Sequence, residues 1–246
     1  MELNKIYCGD CLELMKSIDD GSIDLILADP PFGTTRCKWD SVIPFKPMWK
    51  QLKRIIKPYG AIVLNASQPF TSALIMSNID MFKYCWVWEK TQAVGHLNAY
   101  KMPMKNTEDI CVFYKSHPVY NPQITNKKKE NIRPATKIRK NSECYGAHYK
   151  PSKRKLPKDK TLPNQILKFR NSQRGLHPTQ KPVALMEYLI KTYTNKDELV
   201  LDFTIGSGTT AVACRNTHRN FIGIELSPEY CKIANRRILN AEPQLF

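Results

Sequence analysis

Long apolar runs are absent from this sequence, and their absence excludes a membrane-spanning protein. No stretch of the 246 residues approaches the ~18 consecutive apolar residues that a transmembrane helix needs. The first residues, MELNKIYCGD, contain no basic segment followed by an apolar one, so we expect no secretory signal peptide. These absences predict a cytoplasmic protein that makes no contact with membranes.

Paired cysteine motifs are lacking as well. Of the eight cysteines, only Cys8 and Cys11 have C-x-x-C spacing, and no second pair and no histidine lies near them in the sequence. A structural zinc site needs about four such ligands, so we expect no bound metal. A redox-active pair at Cys8 and Cys11 is the alternative, and reduced thiols in a cytoplasm are the simpler interpretation.

Acidic residues are scarce in one part of the chain. Residues 115–174 contain 17 Lys and Arg but only 3 Asp and Glu, whereas the rest of the chain is nearly balanced, with 21 against 19. A basic segment in a nearly neutral chain predicts binding to a polyanion, and interleaved aromatic and histidine side chains favour a nucleic acid. The alternative is a solvated surface loop, because residues 126–140 (NKKKENIRPATKIRK) are poor in apolar side chains.

The apolar pattern indicates an α/β fold. Short apolar runs alternate with helix-length segments, which predicts a mostly parallel, doubly wound sheet with helices on both faces. The predicted strands include 23–28, 61–65 and an antiparallel pair at 85–88 and 110–114. Residues 198–216 are predicted to form a strand, a glycine turn and a helix, residues 220–228 a strand and a loop, and the remaining helices cover 45–57, 182–193 and 229–240.

The stretch ILADPPFGTT (26–35) ends a predicted strand in an unusually stiff corner. Consecutive prolines fix φ and donate no backbone N–H, so Pro30 and Pro31 leave carbonyl oxygens with fixed directions. Pro30 also disfavours the α conformation at Asp29. An ordinary strand-ending turn is the alternative for these residues taken by themselves.

A second motif, LDFTIGSGTT (201–210), places an acid at a strand end and two glycines before a helix. Glycines there allow close approach of a ligand to the backbone, and no lysine follows them, which excludes a Walker phosphate loop. The next strand ends in Glu225, 17 residues beyond Gly208, at a position suited to a ribose diol. Because the third glycine of the dinucleotide fingerprint is missing, S-adenosylmethionine is the favoured ligand.

Together these motifs resemble the β-class amino-methyltransferases of DNA, which modify adenine N6 or cytosine N4. ADPPFG, HPTQKP (177–182), LDFTIGSGTT and FIGIEL occur in the order of that family, and YCGD (7–10), WEK (88–90) and EDICVFYK (108–115) fall at its lesser motifs. The resemblance covers most of the chain and implies a circularly permuted methyltransferase fold. It divides the chain into a catalytic half (1–114), a basic target-recognition insert (115–174) and a cofactor-binding half (175–246).

The resemblance also implies roles for individual residues. Asp29 and the Pro30 carbonyl would accept hydrogen bonds from the two N–H groups of the target amine, and Phe32 would stack on an extruded base. Asp10 resembles the acid that contacts the cofactor's adenine, and the HPTQKP segment the one near its methionine end, although His177 could equally be a helix-entry residue. The implied cofactor-binding residues are Asp10, Asp29, Thr179, Lys181, Asp202, Phe203, Gly206, Ser207, Gly208, Thr209 and Glu225.

We expect an S-adenosylmethionine-dependent enzyme that methylates adenine N6 in double-stranded DNA. The acid at position 29 favours adenine, since the cytosine enzymes of this family more often have Ser there, whereas Phe32 replaces the more usual Tyr and leaves the target base less certain. The alternatives are a cytosine-N4 or dual-specificity enzyme, and a DNA-binding module with an inactive methyltransferase fold. RNA and glutamine side chains are further substrates that carry amino groups. The basic insert argues against glutamine side chains. A homodimer and a cognate restriction endonuclease are compatible partners.

Overall fold

The computed structural model of the chain describes residues 1–35, 37, 40–127, 156–171 and 180–241. The chain forms two compact units, one made of Met1–Asn121 and Gln165–Phe246 and the other of Pro122–Asn164. The larger unit is built on eight strands: β1 (Lys5–Cys8), β2 (Ile23–Ala28), β3 (Ile56–Ala66), β4 (Phe82–Val94), β5 (Lys105–Phe113), β8 (Ile166–Phe169), β9 (Leu199–Asp202) and β10 (Asn220–Glu225). Its helices are α1 (Cys11–Leu14), α2 (Phe45–Ile55), α3 (Phe70–Met76), α4 (Val183–Tyr193), α5 (Thr209–Asn216) and α6 (Pro228–Asn240), with short 3-10 turns at Met15–Ser17 and His96–Asn98.

The eight strands form one sheet in the order β1-β10-β9-β2-β3-β5-β4-β8. The neighbours from β1 to β3 are all parallel, β5 is antiparallel to both β3 and β4, and β8 is parallel to β4. The predicted mostly parallel sheet and the predicted antiparallel pair are therefore confirmed. This is the mixed sheet of a methyltransferase-type α/β fold, in which crossovers place helices on the two faces.

The strand before the D-P-P-F corner lies beside the strand before the glycine turn, although the two are about 175 residues apart in the sequence. In the register of β2 and β9, Leu25 is opposite Val200 and Ile26 is opposite Leu201. Parallel neighbours end at the same edge of a sheet, so the segments that follow β2 and β9 meet there. This adjacency agrees with the circularly permuted methyltransferase fold that the resemblance implies.

Both faces of the sheet are buried, which explains why the central strands are mostly apolar. Ile26 of β2 belongs to a core cluster with Trp49 and Leu52 of α2, on one face. Leu25 belongs to a second cluster with Leu189 of α4, on the other. Successive side chains of a strand point to opposite faces, so a strand that is covered on both faces is mostly apolar at all its positions.

Helix boundaries differ slightly from those predicted. The helix expected over 45–57 ends at Ile55, because β3 begins at Ile56. Pro58 disfavours a helical conformation at Lys57, and the β2–β3 register shifts in this region, between Ile23 and Leu25. Helix α4 lacks the predicted residue 182, and α6 begins one residue earlier than predicted, at Pro228.

The smaller unit contains two short antiparallel strands, β6 (Thr125–Asn126) and β7 (Lys160–Thr161). The Lys127 N–H donates to the Asp159 carbonyl at 2.6 Å. Most of the basic residues counted in the predicted insert belong to 128–155, outside the described residues. The predicted division of the chain at residues 115 and 174 stays a prediction.

The described residues contain neither a helix that could span a membrane nor a metal-ligand cluster. None of the helices there combines the length and the apolar character needed to cross a bilayer. The same ranges contain no group of three or more His, Cys, Asp or Glu side chains placed to hold a metal ion.

Candidate active site

A cavity of about 790 Å³ lies at the carboxyl ends of the parallel strands. Its volume falls in the range of roughly 300–1,000 Å³ that is typical of small-molecule sites. Because β1, β10, β9 and β2 are parallel neighbours, the residues that end or follow them are collected at one edge. The predicted site residues that line the cavity are Asp10, Asp29, Pro30, Phe32, Lys181, Asp202, Phe203, Gly206, Ser207, Thr209 and Glu225.

Two predicted residues are not in that lining. Gly208 lies at the start of α5, where it adopts a φ of 85°, and a Cβ there would approach the Ala234 Cβ at 2.9 Å. Its lack of a side chain therefore allows close packing of α6 against the turn. Thr179 lies outside the described residues, as does His177.

The turn between β9 and α5 is open toward the cavity at Gly206. This glycine has a φ of 53°, and a Cβ built on it would meet no atom within 4 Å. A side chain at this position would be strained and would project into open space, so glycine keeps the turn compact and accessible. The Gly206 N–H donates to the Glu225 Oε2 at 2.8 Å, which ties the turn to the end of β10.

Glu225 is held by backbone donors on both of its oxygens. Oε2 accepts from the Gly206 N–H and Oε1 from the Ser227 N–H, each at 2.8 Å. An ionised carboxylate offers about four acceptor positions, so each oxygen keeps capacity for one more donor. The side chain is thus fixed in orientation and can still accept hydrogen bonds from a pair of ligand hydroxyls.

Arg237 of α6 braces the glycine turn, and the sequence analysis missed it. Its Nη1 donates to the Ser207 carbonyl at 2.6 Å, to the Ser207 Oγ at 2.9 Å and to the Thr209 Oγ1 at 3.3 Å. Burial lowers the pKa of the Arg237 guanidinium. The residue lies 30 positions after Ser207 with no local motif around it, so no sequence signal could have identified it.

Asp202, at the end of β9, is a buried acid with only 3% of its surface exposed. Its Oδ1 accepts from the Thr204 N–H at 3.1 Å and its Oδ2 from the Thr210 hydroxyl at 2.6 Å. Burial raises the pKa of Asp202 to about 7, and these two hydrogen bonds act in the opposite direction. The side chain fixes the β9–α5 connection beneath the cavity.

We expect Asp202→Asn to change the pH dependence of stability. A raised pKa means that the folded state holds the proton while the unfolded chain, with a pKa near 3.8, releases it. The free energy of unfolding of the wild type therefore falls as the pH rises from about 4 to about 7, by roughly 1.4 kcal/mol for each unit of difference between the two pKa values. The variant lacks this fall, so its stability relative to the wild type should increase between pH 4 and pH 8.

Urea denaturation of both proteins at pH 4, 6 and 8 measures this difference. Asparagine accepts the hydrogen bond from the Thr204 N–H less well than a carboxylate does. This difference lowers the stability of the variant by the same amount at every pH. A wild-type-minus-variant difference that is constant across the three pH values would refute the assignment.

The D-P-P-F corner presents a carboxylate with one occupied and one unoccupied oxygen. The Lys181 Nζ lies 2.7 Å from the Asp29 Oδ2, while the buried Oδ1 has no hydrogen-bond partner among the described residues. Burial raises the pKa of Asp29, and the positive charge of Lys181 opposes that rise. An unpaired carboxylate oxygen in a cavity wall is costly unless a ligand donates to it.

Phe32 stands beside Asp29 as a partly exposed aromatic ring. It stacks on Phe70 of α3 with the ring centroids 5.2 Å apart, and the Lys181 Nζ lies 5.7 Å from its centroid. These contacts hold the ring in the cavity wall. Its position therefore depends on packing and does not require a ligand.

Asp40 organises the loop after the corner and is another residue that the sequence analysis missed. Its carboxylate accepts from the backbone N–H groups of Gly33, Thr34 and Thr35 at 2.9, 2.9 and 2.6 Å. Burial raises the pKa of Asp40, but these hydrogen bonds outweigh it and the net shift is downward. Gly33 itself has a φ of 68°, and a Cβ there would lie 2.8 Å from the Val42 Cγ2. The backbone of residues 33–35 is therefore held by the Asp40 carboxylate, and glycine at position 33 is required by the close approach of Val42.

Comparison with known proteins agrees with this arrangement. The sequence model of a family described as DNA methylase, of the N6/N4 class, matches residues 23–236, which is most of the chain and includes both the corner and the glycine turn. The chain belongs to this DNA methylase family.

Individual relatives cover nearly the whole chain. It is 28% identical over 253 residues to the type II methyltransferase M.HpaI of Haemophilus parainfluenzae, covering 95% of this chain and 74% of the relative. It is also 28% identical over 256 residues to M1.MboII of Moraxella bovis, covering 96% of both.

Solved structures show the same fold. The crystal structure of an M1.HpyAVI–SAM complex has a TM-score of 0.63 at 27% identity, covering 95% of this chain and 98% of that one. The PvuII DNA methyltransferase, titled cytosine-N4-specific, has a TM-score of 0.66 at 21% identity, covering 97% and 93% of the two chains. At that identity the second likeness shows the fold alone.

In this DNA methylase, residues from the N-terminal and the C-terminal parts of the chain line one cavity. Asp10 follows β1 and caps α1, where its Oδ1 accepts from the Leu12 N–H at 2.7 Å and the Glu13 N–H at 3.3 Å. Capping alone accounts for its position, and its predicted contact with a cofactor stays a prediction. The same holds for the catalytic and cofactor roles predicted for the other lining residues, whose placement is shown and whose chemistry is not.

Proposed function

We propose that this chain transfers a methyl group from S-adenosylmethionine to the N6 amino group of adenine in double-stranded DNA. One observation carries the proposal. The Asp29 Oδ1 is buried and lacks a partner among the described residues, and Asp29 lines a cavity together with Pro30, Phe32 and the glycine turn. That placement supports an acceptor that waits for a donor on a substrate.

The cofactor half of the cavity fits S-adenosylmethionine. Glu225 would accept the two ribose hydroxyls, since both of its oxygens are oriented by backbone donors and keep acceptor capacity. Gly206 leaves room for close approach of a ligand, and Asp10 would contact the adenine. When bound, S-adenosylmethionine supplies a methyl group activated by a positively charged sulfur.

The catalytic half would reshape the target amine. An exocyclic amino group on a base is a poor nucleophile, because its lone pair is delocalised into the ring. The Asp29 Oδ1 and the Pro30 carbonyl would accept hydrogen bonds from its two N–H groups. These hydrogen bonds would favour a tetrahedral nitrogen with a localised lone pair. Positioning of the amine by this rigid corner would supply a large part of the acceleration, up to ~7–11 kcal/mol in favourable cases.

Phe32 would receive the target base after its extrusion from the duplex. Enzymes that modify a base in DNA take it out of the stack and hold it against aromatic side chains. The ring is already fixed by Phe70, so stacking would cost little additional ordering. The basic insert, 115–174, supports duplex DNA as the substrate, because its excess of lysine and arginine would bind phosphates.

The acid at position 29 supports adenine over cytosine. In the family that the sequence resembles, the cytosine enzymes more often have Ser at this position, and here it is Asp29.

A cytoplasmic location, a homodimer and a cognate restriction endonuclease stay proposals of the same kind. The endonuclease is suggested by relatives that are themselves named type II methyltransferases.

The cofactor assignment predicts that Glu225→Ala weakens binding of S-adenosylmethionine about 10- to 150-fold, which corresponds to roughly 1.5–3 kcal/mol for charge-assisted hydrogen bonds. Isothermal titration calorimetry measures the dissociation constant directly. Glu229→Ala is the matched control, because Glu229 is an exposed acid in the first turn of α6 and does not line the cavity. Equal affinity of the two folded variants would exclude Glu225 from the site.

The function is tested by sequencing DNA for modified bases after expression of the protein in cells that lack DNA methylation. We expect N6-methyladenine at one short recognition sequence, and none from cells expressing Asp29→Ala. Modification of cytosine only, at N4, would overturn the adenine assignment and keep the chemistry. DNA without any modification would count against the enzyme and in favour of an inactive DNA-binding module.

A further inference from the structure

A line of four alternating charges runs through the wall of the cavity and ends at Asp29. The Lys90 Nζ lies 2.5 Å from the Glu108 Oε1, the Lys181 Nζ lies 3.2 Å from the Glu108 Oε2, and the same Lys181 Nζ lies 2.7 Å from the Asp29 Oδ2. The four residues come from β4, β5, the segment before α4 and the corner after β2. All four line the cavity.

This charge line is largely buried. The side chains of Lys181, Lys90 and Glu108 are 6%, 9% and 13% exposed, and that of Asp29 is 22% exposed. Charges removed from water are costly unless each is paired, and removal of one partner leaves its neighbour uncompensated. The two positive and two negative charges balance, so the line is neutral as a whole.

The two residues far from the corner are fixed by the sheet. Glu108 of β5 is directly opposite Trp88 of β4, and Lys90 follows two residues later on the same face of β4. The Lys90 Nζ also lies 5.3 Å from the centre of the Trp88 ring. Lys181 has no such support from a strand, because it precedes α4, and its position therefore depends on the anions that it contacts.

We propose that Glu108 and Lys90 are positioning residues that act through Lys181: Lys90 favours the ionised form of Asp29, and Glu108 holds Lys181 in place so that the Asp29 Oδ1 stays the free acceptor. This inference rests on the proposed function. Lys181 donates to one oxygen of Asp29, so the other oxygen is available for the amine. Glu108 holds the ammonium group of Lys181, and Lys90 compensates the second oxygen of Glu108 so that Glu108 does not pull Lys181 away from the corner.

The charges of the line act on Asp29 with opposite signs. Burial raises the pKa of Asp29, Lys181 and Lys90 lower it, and Glu108 raises it. Burial alone would lower the pKa of Lys181, but Asp29 and Glu108 outweigh it and raise it, so Lys181 stays charged. Asp202 of β9 is a further acid that interacts with Asp29. Removal of Lys90 and removal of Glu108 should therefore shift the pKa of Asp29 in opposite directions.

The test compares Lys90→Gln with Glu108→Gln. The acid limb of the single-turnover rate of DNA methylation should move to higher pH in Lys90→Gln and to lower pH in Glu108→Gln. For each pH unit by which the acid limb moves, the rate of Lys90→Gln at a pH below the pKa of Asp29 should be about tenfold lower than that of the wild type. Lys90→Arg, which keeps the charge, should restore the wild-type profile, and in the double variant Lys90→Gln/Glu108→Gln the acid limb should lie between those of the two single variants because the two shifts oppose each other.

A second readout does not need activity. Carbon-13 NMR of the aspartate carboxyl groups in the protein without cofactor or DNA, with Asp29→Asn used to assign the Asp29 signal, should show the same two opposite movements. Lys57→Gln is the control, because it breaks the ion pair with Asp24, 2.6 Å long and outside the cavity, and should leave the Asp29 titration unchanged.

Opposite movements of the Asp29 signal support the inference even if the wild type fails to methylate DNA, in which case the proposed function falls by itself. Movements in the same direction, or a fall in rate without any movement of the Asp29 titration, would reduce Glu108 and Lys90 to a structural role. If one single variant does not fold, the other decides, because a shift of the Asp29 titration in its predicted direction supports the inference and an unchanged titration contradicts it.

Discussion

Asp29→Ala is expected to abolish methyl transfer while the protein stays folded and still binds DNA. The variant loses the acceptor that would reshape the amine, and it leaves the Lys181 ammonium with one partner fewer in the cavity wall. Removal of one preorganised hydrogen-bonding group at a reacting centre typically costs roughly 10²–10³-fold in rate. Here the same change also removes a buried charge, so the loss should be at least that large. Some loss of cofactor affinity is expected as well.

Transfer of a tritiated methyl group to DNA under single-turnover conditions measures this loss. Asp20→Ala is the matched control, since the Asp20 side chain is 75% exposed and pairs with Arg54 away from the cavity. Asp29→Asn separates charge from shape, because asparagine keeps one acceptor oxygen and removes the negative charge. Turnover close to that of the wild type in a folded Asp29→Ala protein would contradict the mechanism.

Phe32→Ala should have the second largest effect. Base–aromatic stacking contributes about 1–3 kcal/mol per base, so the rate should fall about 5- to 150-fold. The contact with Phe70 adds a complication, because alanine also removes packing from α3 and destabilises the fold. Phe32→Tyr keeps the stacking face and should keep most of the activity.

Phe32→Leu distinguishes the two effects of the alanine variant. Leucine fills most of the volume beside Phe70 but has no aromatic face, so we expect near-normal stability together with a reduced rate. The rate and the urea midpoint of each variant are therefore measured in parallel. A leucine variant with the wild-type rate would exclude stacking as the role of Phe32.

The fold was predictable to the extent that local pattern determines it. Strand β2 has the predicted bounds because an apolar run ends at an acid and two prolines, whose effect on the backbone is local. The neighbouring position of β2 and β9 could not be derived from periodicity, since the strands are distant in the chain. It came from the resemblance to the methyltransferase family.

Much of the site was predictable because its residues follow strand ends and turns that have their own sequence signals. Side chains that support the site had no such signal. Asp40 and Arg237 are defined by contacts made after folding, with backbone groups that the sequence does not place near them. Glu108 lies in EDICVFYK, a lesser motif of the resemblance, but that motif does not predict its ion pair with Lys181. Lys181 was predicted near the cofactor, but its ion pair with Asp29 joins residues 152 positions apart and appears only in the fold.

The most direct test uses the purified protein, tritiated S-adenosylmethionine and a double-stranded DNA library, followed by digestion to nucleosides and chromatography. We predict label in N6-methyladenine, with none from Asp29→Ala. Label only in N4-methylcytosine would contradict the adenine assignment, and the absence of any labelled base from the wild type would contradict methyl transfer itself.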